Sequence, residues 1–229
     1  MARTRTLTDL IADVRDRADV ENSTHVTDAQ ITRYINQSGA ALHAMMVEHD
    51  EDEFTEELTL TAAAGAEYST IGTGAGGEFL EVKPYKIVGV DVVDSNGVSY
   101  PVPRYMHGER ANLESAGITS VFQLTRYRWR GTNTLYWAPP FSTNVTVRVT
   151  YVPSYVDLSG SDPFDGRDGW EEWIVLDAAI KVAIKEETDD SQMVRERAVV
   201  EQRIRQQMIA RDRANPKRIK DVWGGGDTW

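Results

Sequence analysis

The residues able to carry catalytic or ligand chemistry are few, and most fail the spacing that such chemistry needs. Gly72-Thr73-Gly74-Ala75-Gly76-Gly77 matches G-x-G-x-x-G letter for letter. A dinucleotide site also needs a helix immediately after the glycines, so that its N-terminus can hold the pyrophosphate. Here EFLEV and then Pro84 follow, which predicts a strand, so the glycines are expected to form a hairpin loop. No G-x-x-x-x-G-K-[ST] or G-x-S-x-G run is present. The histidines, His25, His43, His49 and His107, share no metal-binding interval, and Asp157, Asp162, Asp165 and Asp168 do not fit a calcium loop. His49 lies beside Asp50, Glu51, Asp52 and Glu53, but acids without a spacing rule predict a solvated surface. The expectation is a protein with no catalytic constellation, no cofactor and no metal.

Binding chemistry is concentrated toward the C-terminus. Between residues 195 and 220 there are nine Lys/Arg, among them Arg195, Arg197, Arg203, Arg205, Arg211 and Arg213, against Glu196, Glu201 and Asp212. The run 48–57, EHDEDEFTEE, holds seven acids and no Lys or Arg. Two readings of the arginines stand: pairing with nearby acids on their own chain, or an interface in which Arg203, Arg205 and Arg211 meet Glu51, Asp52 and Glu53 of a neighbouring subunit. Beyond Pro216 a helix must stop. The tail that follows places Lys217, Arg218, Ile219, Lys220, Val222 and Trp223 together, and ends at Trp229. Cations mixed with aliphatics and tryptophan suit a segment that orders on a partner; folding back onto its own helices is the other reading.

The whole chain bounds what those surfaces serve. At 229 residues, 41% hydrophobic and 27% charged, it is long enough to bury a sizeable core and ordinary in composition for a globular protein. No apolar run approaches the length of a membrane span, and MARTRTLTDL lacks the apolar stretch of a secretion signal. Zero cysteines exclude disulfides and thiolate zinc sites, which fits synthesis in a reducing cytoplasm. A net charge of −11 argues against generic nucleic-acid binding.

The elements that would position these surfaces follow from periodicity. Thr6 precedes Leu7, Leu10, Ile11 and Val14, a short amphipathic helix. After the linker DVENST, Thr27 and Gln30 form a capping box. Ile31, Tyr34, Ile35, Ser38, Leu42, Met45 and Met46 then stripe a longer helix. From Thr55 to Tyr155 the pattern changes to β-rich runs: KIVGVDVV, VSYPV, SVFQLTRYRWR, TNTLYWAP and NVTVRVTYV. Asp94-Ser95-Asn96-Gly97 is a hairpin turn and Gly131-Thr132-Asn133 another separator. RYMHGERANLESAG is compatible with a short helix or a loop, and SGSDPFDGRDG is a linker. Two helices close the chain. Asp168 and Glu171 predict the first cap, with Trp173, Leu176, Ile180 and Ala183/Ile184 at helical spacing. ETDDS breaks that helix, Asp189 and Gln192 predict the second cap, and Met193, Val200, Ile204 and Met208 mark its buried side.

The expected fold is α+β: a bundle of the N- and C-terminal helix pairs carrying an inserted antiparallel β-rich domain of about six strands. The expected divisions are 1–54, 55–158, 159–213 and a tail over 214–229.

The order GWEEWIVLDAAIKVAIKEETD, then an arginine-rich helix, then ARDRANPKRIKDV resembles the head-to-tail adaptor (connector) proteins of tailed bacteriophages. VTDAQITRYINQSGAALHAMM repeats the resemblance more weakly near the N-terminus. The resemblance implies a structural protein of the virion head–tail junction, made in the host cytoplasm and set as a twelve-subunit ring beneath the portal. It implies the portal protein and a downstream tail or stopper protein as partners. The tail Lys217–Trp229 would grip the portal, and packaged DNA would pass the channel without specific binding. An alternative from another class is a nucleic-acid-binding module using the basic helix and tail, distinguished by steep salt dependence.

Overall fold

The computed structural model describes residues 5–21, 23–49, 54–71, 84–109, 125–131, 133–160, 162–164 and 169–211. Within them the chain is α+β, with helices at both ends of the sequence and antiparallel sheets between. It divides into two compact units, Met1–Asp50 with Asp157–Trp229, and Glu51–Val156.

The first unit holds α1 (Leu7–Arg17), α2 (Asp28–His49), α3 (Glu171–Glu186) and α4 (Ser191–Arg211). Helix α3 is apolar almost all round: Trp173, Ile174, Leu176, Ala178, Ala179, Ile180, Val182 and Ala183 are all buried. Such a helix belongs at a centre, and α1, α2 and α4 all pack against it. Ile184, expected near its inner stripe, is instead 62% exposed, so Ala183 alone takes that position.

Helix starts follow the capping logic only in part. At α1, Thr6 accepts from the Asp9 N–H at 3.2 Å while the Thr6 N–H donates to the Asp9 carboxylate at 3.0 Å, a complete capping box. The Thr27 N–H donates to Gln30 Oε1 at 3.2 Å ahead of α2. For α3 the expected cap at Asp168 gives way: the N-cap is Trp170, with no side-chain cap, and Asp168 lies outside the described residues. Buried Trp170 fixes the start instead, while the Glu171 carboxylate reaches back to accept from the Gly169 N–H at 3.1 Å. At α4, Asp189 accepts from the Ser191 N–H at 3.0 Å, but Gln192 donates to Glu196 along the helix rather than closing a box. Between α3 and α4 the chain turns through Glu187, whose φ of 57° is left-handed.

Two features of this unit lay outside the sequence reading. The α1–α2 linker is held by Arg15, which donates to the carbonyls of Val20 (3.1 Å) and Val26 (3.0 Å) and to the Asp28 carboxylate (2.7 Å). The segment expected as a plain linker contributes β9 (Pro163–Phe164), which pairs antiparallel with β1 (Arg5–Thr6). Two-residue ladders leave almost no periodicity to detect. Leu158 is pinned to α2 by Asn36, which accepts from its N–H at 2.9 Å and donates to its carbonyl at 3.1 Å.

The second unit contains β2 (Glu56–Ala62), β3 (Tyr68–Thr70), β4 (Pro84–Val93), β5 (Ser99–Pro101), β6 (Arg126–Arg130), β7 (Thr134–Ala138) and β8 (Val145–Pro153). They form a four-stranded sheet in the order β2-β8-β4-β5 and a three-stranded sheet in the order β3-β7-β6, every ladder antiparallel. Alternation decides which faces turn inward. Val145, Val147, Val149 and Tyr151 of β8 join Val90 and Val92 of β4 and Leu135 and Trp137 of β7 in one core. The expected hairpin at Asp94–Gly97 is present. Asp94 accepts from the Asn96 and Val98 N–H groups at 2.8 Å each, and Gly97 takes a φ of 82° that only glycine adopts freely. Of RYMHGERANLESAG, the described part contains one 3-10 turn, His107–Glu109. Gly72–Gly77 lie outside the described residues.

Candidate functional site

The arginines of α4 sort by height along the helix. Val200, Ile204 and Met208 face inward as their spacing predicts. Arg197 crosses to α3, where its guanidinium contacts Asp177 Oδ1. The other Asp177 oxygen lies 2.9 Å from Lys181 Nζ and 2.7 Å from Ser38 Oγ on α2. Ser38 shares its single proton between that carboxylate and the Tyr34 carbonyl at 2.8 Å, while accepting from Lys181 at 2.9 Å. Ser38 and Asp177 are buried. Burial alone would push the Asp177 carboxyl up, but the hydrogen bonds from Lys181, Ser38 and Arg197 outweigh it and hold the group below the usual carboxylate range. One carboxylate thereby ties α2, α3 and α4 together. Removing one partner of such a cluster is costly, because it leaves a buried charge uncompensated.

Lower on the same surface the charges stay half in water. Arg203 reaches Glu172 at 3.4 Å and the Gly169 carbonyl at 3.3 Å; Arg205 reaches Glu201 at 2.9 Å. Arg17 of α1 bridges Glu172 at 3.6 Å and Glu196 at 3.2 Å. These side chains keep roughly a third to a half of their exposure, so each pair contributes only about 0–1 kcal/mol. A cleft of about 400 Å³ runs beside them, lined by Arg5, Asp13, Asp16, Arg17, Glu171 and Glu172. Its charges alternate in sign and pair across it, Arg5 with Asp13 at 3.4 Å for one. That leaves no convergent set of donors for an anion. A second hollow, about 490 Å³, borders Thr32, Arg33 and Asn36 of α2 together with Asp157; Asn36 is already committed to Leu158.

Of the predicted site residues, the structure therefore places Arg203 and Arg205 against carboxylates of their own chain. Arg211 ends α4. Glu51, Asp52 and Glu53 lie outside the described residues, as do Lys217, Arg218, Ile219, Lys220, Val222, Trp223 and Trp229. Among the described residues no group of three or more His, Asp or Glu is placed to hold a metal. His43 is half-buried, and burial pulls its pKa down. The buried cluster was not anticipated, although two signals point to it: a serine inside the apolar stripe of α2, and an i,i+4 Asp–Lys pair within an otherwise apolar helix. A second unanticipated feature is the alternation of arginine in Arg126–Arg130.

Helices from both chain ends closed on α3, with a β unit inserted between them, are the architecture on which comparison with known proteins bears. The family model of the SU10 adaptor protein matches residues 5–222. The chain belongs to this family of phage head-to-tail adaptors. The match covers both units and runs past the end of α4 into the tail. No curated protein matches the chain. Membership in the SU10 adaptor family makes this a phage structural protein, in a family that is in general non-enzymatic and associates with portal and tail proteins as part of the virion. No helix among the described residues is long and apolar enough to cross a membrane.

Proposed function

We propose that this SU10-family adaptor forms a ring beneath the portal, extends the DNA channel and offers a docking surface to the tail. The observation that carries the reading is the extent of the family match, residues 5–222, which includes Lys217, Arg218, Ile219, Lys220 and Val222 of the tail. In this reading the helical unit builds a twelve-subunit ring, and the tail beyond Pro216 enters a groove on the portal, with Trp223 as its apolar anchor and its cations on an acidic rim. Arg203, Arg205 and Arg211 would pair with Glu51, Asp52 and Glu53 of the next subunit, in competition with Glu172 and Glu201 of their own chain. The net charge of −11 suits a channel wall that repels DNA and lets it slide.

The deciding experiment is native mass measurement of the protein alone and mixed with portal rings, for the whole chain and for a chain lacking residues 214–229. The expected result is a portal–adaptor complex of matched rings for the whole chain. The shortened chain should stay folded, with unchanged helical content, and fail to join. Full-affinity binding by the shortened chain would remove the tail's assigned role. Steeply salt-dependent retention of duplex DNA in place of portal binding would instead favour a nucleic-acid-binding module.

A further inference from the structure

The three-stranded sheet of the β unit turns Tyr127, Leu135 and Trp137 into the core, with Trp129 packed against it. The alternate residues of β6, Arg126, Arg128 and Arg130, therefore share the outer face, spaced about 6.8 Å apart along the strand. Strand register sets Arg128 opposite Tyr136, and Tyr136 opposite Tyr68, so one row of side chains crosses all three strands. The two tyrosine rings lie 5.8 Å apart at 42°, and the Arg130 guanidinium stands 6.0 Å from the Tyr136 ring centre. Tyr68 is 57% exposed. Arg126 meets Glu109 at 3.5 Å. Arg128 and Arg130 have no carboxylate partner among the described residues, unlike Arg197, Arg203 and Arg205 of α4.

We propose that this arginine–tyrosine face is a docking surface for an acidic patch on another protein. Arginine and tyrosine are, with tryptophan, the side chains enriched at the anchor points of protein interfaces. The planar guanidinium adds bidentate pairing to carboxylates. In a chain of net charge −11, the shape of the partner's charge matters as much as its sign. A polynucleotide extends its charge beyond a three-strand patch and over the acidic remainder, whereas an acidic protein patch can end where the arginines end. The β-sheet holds the three arginines in one row at no cost in loop ordering, which favours binding. The inference goes beyond the adaptor reading and does not depend on ring formation.

The test uses the full chain and two labelled probes, a ten-residue oligoglutamate and a ten-nucleotide oligothymidylate, with binding followed by fluorescence anisotropy at low salt. Oligoglutamate is expected to bind the wild type more tightly than the oligonucleotide does. The double change Arg128→Gln with Arg130→Gln should weaken oligoglutamate binding by at least about fivefold. Arg33→Gln, an exposed arginine of the helical unit, should leave it unchanged. Near-ultraviolet circular dichroism confirms that the variants keep the native fold, and Arg128→Lys with Arg130→Lys provides a second pair that retains the charge and should bind at an intermediate level. Tighter binding of the oligonucleotide, lost in the Gln variant, overturns the proposal in favour of a nucleic-acid face. No binding of oligoglutamate to the wild type, or a loss smaller than about fivefold in the Gln variant, overturns it outright.

Discussion

In the dense arginine helix of the helical unit, Arg197, Arg203 and Arg205 are occupied by carboxylates; on the outer face of the β unit, Arg128 and Arg130 meet no acid among the described residues. Arg197, Arg203 and Arg205 each find a carboxylate on α3 or α4, because acids fall at reachable helical positions around them. Arg128 and Arg130 sit on a strand whose register places tyrosine and threonine beside them. The density of charge in a stretch of sequence is thus a poor measure of the charge it offers to a partner. What counts is whether the local geometry supplies counter-charges.

The sharpest way to break that contrast is to remove the carboxylate that occupies Arg197. Asp177→Ala leaves Arg197 and Lys181 without their shared partner, and should cost the helical unit about 2–4 kcal/mol, near the lower end for a broken buried pair because both cations keep partial exposure. Urea unfolding followed at 222 nm measures it. The same measurement on Arg128→Gln with Arg130→Gln should shift by less than about 0.5 kcal/mol. Comparable costs in the two variants would end the distinction. Acid provides an independent arm. The Asp177 carboxyl is held below its ordinary value of 3.8, so the native state binds the proton less readily than the unfolded chain does. Its contribution is fully present above that value and is lost as pH falls through 3.8 toward the native pKa. Asp177→Asn should flatten this part of the stability–pH curve, and an unchanged slope would assign the acid sensitivity elsewhere.

Glycines sharpen the comparison at an intermediate scale. Gly97 in the β unit has a φ of +82° and open space where a Cβ would stand; Gly169 has a φ of +89° and Arg203 Nη2 only 3.1 Å from that position. Gly97→Ala should cost about 1 kcal/mol, the backbone penalty alone. Gly169→Ala should cost about 1–2 kcal/mol because it also displaces Arg203 from Glu172. Thermal unfolding distinguishes the two, and equal shifts would show that Arg203 moves aside freely. The smallest effect is expected for Arg203→Gln, about 0–0.5 kcal/mol in the same assay, since its bond to Glu172 is half in water.

Period and polarity made the helices, the hairpin at Asp94–Gly97 and most of the strands legible from sequence, because each buries a stripe of several residues. Trp173 and Ile180 of α3, and Val147 and Val149 of β8, are of this kind. The caps were less legible, since a burial event can override local chemistry, as Trp170 does at α3. Tertiary polar contacts were the least legible. Arg15 finds its carbonyls, and Ser38 finds Asp177 across 139 positions of chain, only once the fold exists. The arginines of α4 drew attention by number, whereas those of β6 required the sheet to show that they share a face.

The split of the helical unit around the β unit has a consequence for synthesis. Helices α1 and α2 are complete by His49, yet α3, the helix they bury against, ends only at Glu186. At translation rates of about 5–20 residues per second, the apolar stripe of α2 waits roughly 7–27 s for its partner. The β unit holds its core between Leu58 and Tyr151, so it has all of its contacts in hand before α3 leaves the ribosome. A nascent chain of this protein should therefore pass through a stage with the middle folded and the N-terminal helices still seeking cover, and that stage is where chaperone engagement is expected.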